Sequence, residues 1–285
     1  MDKLEKNKIY PSTLYLVGTP IGNLSDISER AIKVLSEVDF IAAEDTRNTM
    51  KLCSALGIKK ELVSYFEHNK KASGERIIAR LLAGESCALV TDAGMPAISD
   101  PGEDIVRLAA ESGVAVTVVP GPCAAVSALA LSALSTSRFV FEGFLPMQKS
   151  ERKKRLSELS REVRTVILYE APHKLRATLN DLGDALGGER KISLCRELTK
   201  LNEEVIRTTL GGAVKLYEEK EPRGEYVLVI EGRADKDESE NELNSLSPEE
   251  HVAHYEALGM AKMDAIKAAA KDRGISKSEM YKLLI

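Results

Sequence analysis

Short apolar runs alternate with amphipathic stretches from the beginning of the chain. Residues 27–38 repeat their apolar positions at the spacing of a helix with one buried face. Strands separated by such helices predict a mostly parallel sheet that is covered on both faces. The predicted strands of this first half are 14–17, 40–43, 62–64, 87–90 and 114–119, and the predicted helices are 27–38, 49–56, 73–83, 103–112 and 124–134.

Polar residues that suit helix ends mark where several of these helices begin. Asp26 is placed to cap the first helix, with Glu29 closing a capping box. Ser73 is placed to cap the third. Before the fourth helix, Asp100 suits the cap position and Pro101 suits the first helical position. Glycines are expected to end three of the helices, at Gly57, Gly84 and Gly113.

The alternating pattern starts again in the second half of the chain. Its predicted strands are 139–141, 166–169, 192–195, 205–208 and 226–230, and its predicted helices are 151–159, 174–186 and 213–219. We therefore expect an α/β fold with two α/β domains of similar size, 1–134 and 135–233, and a cleft between them. A helical tail at 248–285 follows. It has a helix, a turn at Gly274 and a helix capped by Ser276, which resembles a helix-turn-helix.

The charge of the chain is unevenly distributed. Hydrophobic residues make up 44% and charged residues 29%, as in an ordinary globular protein, and the net charge is −4. That sign argues mildly against nucleic-acid binding. However, residues 234–250 hold seven acidic residues and one basic residue, and the rest of the chain has 39 basic and 37 acidic residues. We expect 234–247 to be a solvated acidic linker and the body to be slightly basic.

Neither a secretory leader nor a membrane span is expected. The first residues lack an apolar segment, and the longest apolar stretch, 123–134, is interrupted by serines and too short to cross a bilayer. The cysteines are Cys53, Cys87, Cys123 and Cys195. They are widely separated and lack metal-ligand spacing, so we expect free thiols, no metal and a cytoplasmic protein.

Three turns after predicted strands carry the candidate chemistry, because ligands of open α/β sheets bind beyond the carboxyl ends of strands. Turn 17–23 contains two glycines, but their spacing is a weak phosphate-binding fingerprint, and a tight turn is equally compatible. Loop 91–102 contains two glycines, two prolines and two aspartates, which specify its backbone geometry. Its Asp92 suits the ammonium group of a ligand. Turn 120–128 is fixed by prolines, and its small residues permit either a ligand or close helix packing.

Several segments together resemble the tetrapyrrole methylase superfamily, and within it the branch that methylates small-subunit ribosomal RNA. Those segments are LVGTPIGNLSDISERA, AEDTRNT, VTDAGMPAISDPG, VPGPCAAVSAL, FLP, YEAPHK and CRELTK. The resemblance covers about residues 12–232. It implies a homodimer of two-domain α/β subunits with S-adenosylmethionine bent in the cleft. It also implies 2′-O-methylation of a cytidine in the decoding region of 16S rRNA, at position 1402.

The resemblance further implies that backbone groups hold the cofactor. Carried over by position, the cofactor-binding residues are Gly18, Thr19, Pro20, Asp92, Ala93, Gly94, Met95, Cys123 and Ala124, with Tyr169 and Glu170 as neighbours from the second domain. Met95 stands where the branch often has a smaller polar residue. We expect this change to be tolerated if the contact is made through the backbone.

A ribose hydroxyl is a weak nucleophile and benefits from a base or an orienting acceptor within about 3 Å. The candidate catalytic residues at strand ends are Glu44, Asp45, Glu170, His173 and Glu197. Each also suits a structural role. Glu44 and Asp45 are placed to cap the next helix or to pair with Arg47. Glu197 is placed for an ion pair with Arg196 between the domains, and the histidine for capping the helix after its strand. The sequence leaves these alternatives open.

A basic cluster directly after FLP is the candidate RNA-binding surface, because it would neutralise several phosphates. It comprises Lys149, Arg152, Lys153, Lys154 and Arg155, with Arg47 as a further candidate. A solvated helix face is the alternative.

Three other functions stay open on the sequence. The first is a methylase of the same superfamily that acts on a tetrapyrrole or a protein. The second is a nucleotide-binding dehydrogenase, although Pro20 and the missing third glycine count against its dinucleotide loop. The third is a non-enzymatic RNA-binding regulator that acts through the tail, which would leave the specified loops of both α/β halves without a purpose.

Overall fold

The computed structural model describes residues 8–234, 243, 246–273 and 275–284. The chain divides into two compact units, Met1–Gly232 and Arg233–Ile285. Most of the acidic run predicted as a linker lies outside the described residues, as does the predicted turn at Gly274.

The strands of the first half form the parallel sheet that the sequence predicts. They are β1 (Thr13–Val17), β2 (Phe40–Ala43), β3 (Glu61–Ser64), β4 (Cys87–Val90) and β5 (Ala115–Val119). They pair in the order β3-β2-β4-β1-β5, and each neighbouring pair is parallel. Their carboxyl ends therefore lie along one edge of the sheet.

Helices cover this sheet on both faces. They are α1 (Glu29–Glu37), α2 (Thr46–Ala55), α3 (Lys70–Leu82), α4 (Gly102–Glu111) and α5 (Ala124–Leu131). The alternation of side chains along β2 shows the two faces. Phe40 packs in one core with Ile77 of α3, and Ile41 packs in the other with Leu35 of α1. The expectation of a sheet covered on both faces is confirmed.

The predicted caps of α1 and α3 are wrong. Ser28, rather than an Asp26–Glu29 box, caps α1, and its hydroxyl accepts from the Ala31 N–H at 3.1 Å. Asp26 instead belongs to a preceding 3₁₀ turn. Ser73 lies inside α3, where its hydroxyl donates to the Ser64 carbonyl at 2.6 Å. The predicted glycine ends are confirmed, since Gly57, Gly84 and Gly113 all have a positive φ just after their helices.

The second half forms a mixed sheet. Its strands are β6 (Phe139–Gly143), β7 (Thr165–Glu170), β8 (Lys191–Arg196), β9 (Glu204–Thr209) and β10 (Tyr226–Ile230), and its helices are α6 (Lys149–Leu159), α7 (Pro172–Leu186) and α8 (Leu210–Glu219). The order is β6-β7-β10-β8-β9. In this sheet β6 and β7 are parallel, and the other neighbours are antiparallel. The last strand is thus inserted between two earlier ones.

Helix α5 joins the two sheets. Its apolar residues Ala125, Ala128 and Leu129 share a core with Ile167 of β7 and Val227 of β10. Because α5 directly follows β5 of the first sheet and packs on the second, it fixes the two sheets against each other along one side of the cleft described below.

The second unit contains helices α9 (Pro248–Ala257), α10 (Lys262–Asp272) and α11 (Lys277–Leu283). Ser276 caps α11 and forms a capping box with Glu279, as predicted for the cap. His251 is fully buried in this unit, stacks on Tyr255, and accepts a hydrogen bond at Nδ1 from Arg273. In the described residues, no helix is both long and apolar enough to cross a membrane.

Candidate active site

A cleft of about 520 Å³ lies at the carboxyl edge of the first sheet and is closed on its other side by the second sheet. This is where the three turns singled out in the sequence meet. The predicted cofactor-binding residues that line the cleft are Ala93, Gly94, Met95, Cys123, Ala124, Tyr169 and Glu170. The predicted catalytic residues that line it are Glu44, Glu170, His173 and Glu197. Gly18, Thr19, Pro20, Asp92 and Asp45 do not belong to the lining.

The turn after β1 supports the cleft wall from behind. Thr19 and Gly94 exchange both backbone hydrogen bonds, at 2.9 and 3.1 Å. A Cβ atom on Gly18 would lie 2.7 Å from the Gly121 Cα and equally close to the Met95 sulfur. Gly94 has φ +86°, a left-handed conformation that favours glycine. The glycines therefore bring three turns into backbone contact, and the interpretation of turn 17–23 as a tight turn agrees with this geometry.

Two carboxylates follow β2, and only one of them faces the cleft. Glu44 lines it and accepts a hydrogen bond from the Thr91 hydroxyl at 2.7 Å. Asp45 caps α2 by accepting from the Arg47 N–H at 2.8 Å, and it also pairs with the Arg47 guanidinium at 2.7 Å. The guanidinium and the backbone N–H hold the pKa of Asp45 at about 2. Both structural roles considered for Asp45 are thus present.

The loop after β4 contributes two aspartates with different surroundings. Asp92 is exposed and accepts from the Asn48 amide at 3.2 Å, and partial burial raises its pKa. Asp100 lines the cleft, and burial raises its pKa as well. Its Oδ1 accepts from the N–H groups of Ala97 and Gly102 and so shapes the start of α4, although the cap position is Pro101, one residue later than predicted. Its Oδ2 is buried and, among the described residues, has no hydrogen-bond partner.

Glu170 ends β7 on the opposite wall and is held by a buried network. It is only 4% exposed. Its Oε1 accepts from the Ala171 N–H at 2.9 Å, and its Oε2 accepts from the Thr178 hydroxyl at 2.5 Å. Thr178 in turn accepts from the Arg152 guanidinium at 2.9 Å, which also binds Asp181 at 2.7 Å. Helix α6 is thereby connected to the cleft through two side chains.

The segment after β8 adds a second carboxylate to this wall. Glu197 accepts from the Lys200 ammonium and from the Glu225 N–H, both at 2.9 Å. Burial works to raise the pKa of Glu197, but these two donors outweigh it and the pKa is lowered. Arg196 binds Glu204 at 3.3 Å instead of Glu197, so the ion pair proposed for these neighbours is not formed.

Two further side chains complete the second wall. His173 is exposed in the first turn of α7, where Ala171 is the cap residue. The capping role considered for this histidine is therefore not observed. Tyr169 accepts from the Ala125 N–H at 3.2 Å through its hydroxyl, and burial raises its pKa to about 12. This hydrogen bond ties β7 to the start of α5.

The predicted basic cluster lies on α6, but its members differ. Arg152 is engaged with Thr178 and Asp181 as described above. Arg155 pairs with Glu142 at 2.5 Å and with Glu158 at 3.4 Å. Lys149, Lys153 and Lys154 are exposed, and none of them forms an ion pair within the described part of the chain. The lysines are thus the members that remain available to an anionic partner.

The sequence missed several residues of the cleft. Phe144, Lys200 and Glu225 line it but were not predicted as site residues, although Phe144 belongs to the quoted FLP motif. Thr178 and Arg152 reach the cleft only through Glu170. In the sequence Thr178 is one polar residue in an amphipathic helix, and no local signal distinguishes it.

Comparison with known proteins identifies the family. The family of tetrapyrrole (corrin/porphyrin) methylases matches residues 13–214, and the chain belongs to it. A protein of Halalkalibacterium halodurans named ribosomal RNA small subunit methyltransferase I is 51% identical over 95% of this chain and 94% of its own length. The proteins of that name from Bacillus subtilis and Escherichia coli O157:H7 are 48% and 41% identical, and the alignments cover 94% of this chain and 92% and 93% of theirs.

Solved structures agree on the fold. Diphthine synthase superposes with a TM-score of 0.60 at 16% identity, covering 78% of this chain and 90% of that one. Uroporphyrin-III-C-methyltransferase from Thermus thermophilus superposes with a TM-score of 0.56 at 21% identity, covering 77% and 94%. The predicted α/β fold and the resemblance to the superfamily are both confirmed. Membership in a methylase family also decides against the dehydrogenase alternative.

Proposed function

We propose that this protein transfers a methyl group from S-adenosylmethionine to the ribose 2′-hydroxyl of a decoding-region cytidine, position 1402, in 16S rRNA. The observation that carries the proposal is a cleft in which the tight turns of the first sheet face the second sheet, with carboxylates at strand ends on both walls. Relatives that align over nearly their whole length bear the name of a small-subunit rRNA methyltransferase, and this supports the choice of substrate.

The residues present fit S-adenosylmethionine. The Asp100 Oδ2 is a buried acceptor with no donor in the part of the chain that the structure describes, and the cofactor carries amino and hydroxyl donors. The close approach of Gly18 and Gly121 leaves no room for a side chain at either position, so the two turns meet through backbone. We assign the cofactor to Ala93–Met95, Cys123, Ala124, Tyr169 and Glu170, with Gly18–Pro20 and Asp92 shaping the wall from behind. When bound there, the cofactor supplies an electrophilic methyl group.

The work of the protein is then to orient the ribose hydroxyl and accept its proton. A base needs an acceptor atom within reach of the reacting hydroxyl. Glu44, Glu170, His173 and Glu197 line the cleft, and we propose that one or more of them has this role. Asp45 is the weakest of the five candidates, because its carboxylate is tied to Arg47 and its low pKa makes it a poor proton acceptor.

RNA binding is assigned to the basic cluster of α6 with Arg47. The exposed Lys149, Lys153 and Lys154 would contact phosphates directly, while Arg152 and Arg155 also hold the helix in place. We further propose a homodimer, a cytoplasmic location, domain boundaries at 134/135 and 233/234, an acidic linker at 234–247 and a tail domain at 248–285.

The deciding experiment is transfer of tritium from labelled S-adenosylmethionine to small ribosomal subunits from a strain that lacks this protein. We expect label on the ribose of one decoding-region cytidine, located by nuclease mapping. Subunits from the parent strain, already methylated, are the control and should accept little label. Absence of label on RNA, with the cofactor still bound, would move the substrate to a protein or a small molecule and refute the proposal.

The candidate bases are then separated by single-turnover rates of Glu44→Gln, Asp45→Asn, Glu170→Gln, His173→Ala and Glu197→Gln. Loss of a general base typically slows a reaction about 10²- to 10⁴-fold. Glu111→Gln, an exposed carboxylate in the last turn of α4, is the matched control. If all five variants keep rates close to the wild-type value, base catalysis by a side chain is wrong.

A further inference from the structure

Phe144 is an aromatic side chain that lines the cleft and is nevertheless 54% exposed. A single exposed apolar side chain is ordinary on a protein surface, but one that lines a concave site is placed to contact a ligand. The roles assigned above to cofactor, carboxylates and lysines leave this ring unused.

The backbone around Phe144 is built to aim it. The pairing of β6 with β7 shifts register between Phe141 and Gly143, as in a β-bulge. Gly143 has φ +62°, and a Cβ atom there would lie 2.9 Å from the Ser99 hydroxyl. Leu145, the residue directly after Phe144, is buried. Bulges beside active sites commonly redirect a side chain, and here the chain is anchored on both sides of the exposed ring.

The ring has a rigid support. Phe144 meets Tyr169 edge to face, with ring centroids 5.8 Å apart and planes at 63°. Tyr169 is fixed in turn by Phe141, at 5.0 Å, and by its hydrogen bond from the Ala125 N–H. An edge contact on one side leaves ring surface open, as the exposure of Phe144 shows.

Apolar groups line the cleft with the ring, and the helix that follows it in the chain carries cationic groups. Ile98, on the loop after β4, lines the same cleft and is 49% exposed, and Met147 is 74% exposed. Helix α6 begins two residues after Met147 and carries the exposed lysines 149, 153 and 154. A flat apolar surface in the cleft, followed in the chain by a helix with exposed lysines, matches a nucleotide, whose base has apolar faces and whose phosphates are anionic. A purely apolar protein partner would leave the lysines without a counterpart.

We propose that Phe144 is the platform on which an unpaired base of the RNA substrate stacks at the mouth of the cleft. This inference rests on the proposed function and adds a specificity residue to it. Proteins that act on single nucleotides in RNA stack the unpaired base on aromatic side chains. With the base held on Phe144 and the adjoining phosphates near α6, the attached ribose is directed into the cleft.

The test compares Phe144→Leu, which keeps an apolar side chain but removes the π face, with Phe144→Tyr, which retains it. Phe139→Leu is the matched control, because Phe139 is an exposed phenylalanine at the start of β6, the strand that precedes Phe144, and does not line the cleft. The measurements are the KM for small subunits, the Kd for S-adenosylmethionine by calorimetry, and co-sedimentation of the protein with subunits in the presence of S-adenosylhomocysteine.

We expect Phe144→Leu to raise the KM and weaken co-sedimentation by roughly 5- to 140-fold, the range for loss of one base–aromatic stack. The Kd for S-adenosylmethionine should change less than about twofold, and Phe144→Tyr and Phe139→Leu should behave like the wild type. Unchanged subunit binding by Phe144→Leu overturns the proposal. So does a raised cofactor Kd with unchanged subunit binding, which would assign the ring to the cofactor.

Co-sedimentation keeps the test separate from the proposed reaction. If the wild-type protein transfers no methyl group to RNA, the proposed function fails, while the binding comparison still decides whether Phe144 contacts RNA. A change from dimer to monomer in Phe144→Leu, seen by analytical ultracentrifugation, would instead place the ring in an interface between copies and would also overturn the proposal.

Discussion

Replacing Thr178 by valine removes the centre of the network that holds Glu170. The Thr178 hydroxyl is buried, with 1% of the residue exposed, and it both donates to Glu170 at 2.5 Å and accepts from Arg152 at 2.9 Å. Valine has nearly the same shape but no polar atom. The substitution therefore leaves a buried carboxylate oxygen and a guanidinium N–H without this partner, while packing changes little.

The expected cost follows from the charge of the partners. A hydrogen bond to a charged group contributes about 1.5–3 kcal/mol, and a buried group left without its partner costs a comparable amount. We expect Thr178→Val to lower the free energy of unfolding by about 2–3 kcal/mol. For a folded unit of this size, that corresponds to a fall in Tm of roughly 5–10 °C.

The assay is thermal unfolding of the full-length protein followed by circular dichroism. Thr178→Ser is the matched control, because it keeps the hydroxyl and loses one methyl group, which costs about 1 kcal/mol. A Tm for Thr178→Val within about 2 °C of the wild-type value, or a valine variant as stable as the serine variant, would show that the network does not stabilise the fold.

Further predictions concern the charge at Asp45 and the glycine contacts. Because the Arg47 guanidinium and backbone N–H lower the pKa of Asp45 to about 2, this carboxylate stabilises the fold above its unfolded pKa of 3.8 and loses that contribution as the pH falls towards 2. In Arg47→Ala, which removes the guanidinium and keeps the backbone N–H, NMR titration should place the Asp45 midpoint above 2 but still below 3.8. Gly121→Ala puts a Cβ 2.9 Å from the Gly18 backbone, so we expect a loss of about 1–3 kcal/mol in urea unfolding and weaker cofactor binding by calorimetry. Gly183→Ala, inside α7 with its nearest contact at 3.9 Å, is the control and should stabilise by up to about 1 kcal/mol. A Gly121→Ala variant as stable as this control, or an unmoved Asp45 midpoint, would contradict these explanations.

The first sheet could be predicted almost completely from the sequence, since its strands are short apolar runs separated by helices. β2 was predicted with the observed bounds. The second sheet shows the limit of that method. β10 was also predicted with its observed bounds, but its position between β7 and β8 depends on pairing across the fold, which no local pattern encodes.

The candidate site was predictable to the extent that it lies in turns after strands. Glu44, Glu170 and Glu197 were found this way and do line one cleft. Asp45 was found by the same rule, but its carboxylate caps α2 and binds Arg47, so its role is structural. Contacts such as Arg152–Thr178–Glu170 join three separate elements, so only the folded chain brings them together.

The shared helix α5 also has a consequence for synthesis of the chain on the ribosome. Its apolar face is made with the first half, but its partner strands β7 and β10 end only at Glu170 and Ile230. At translation rates of about 5–20 residues per second, roughly 100 residues separate the end of α5 from the end of β10, which takes about 5–20 seconds. During that interval the nascent first half carries an uncovered apolar stripe, which makes it a target for chaperones and makes the first half, expressed alone, prone to aggregate.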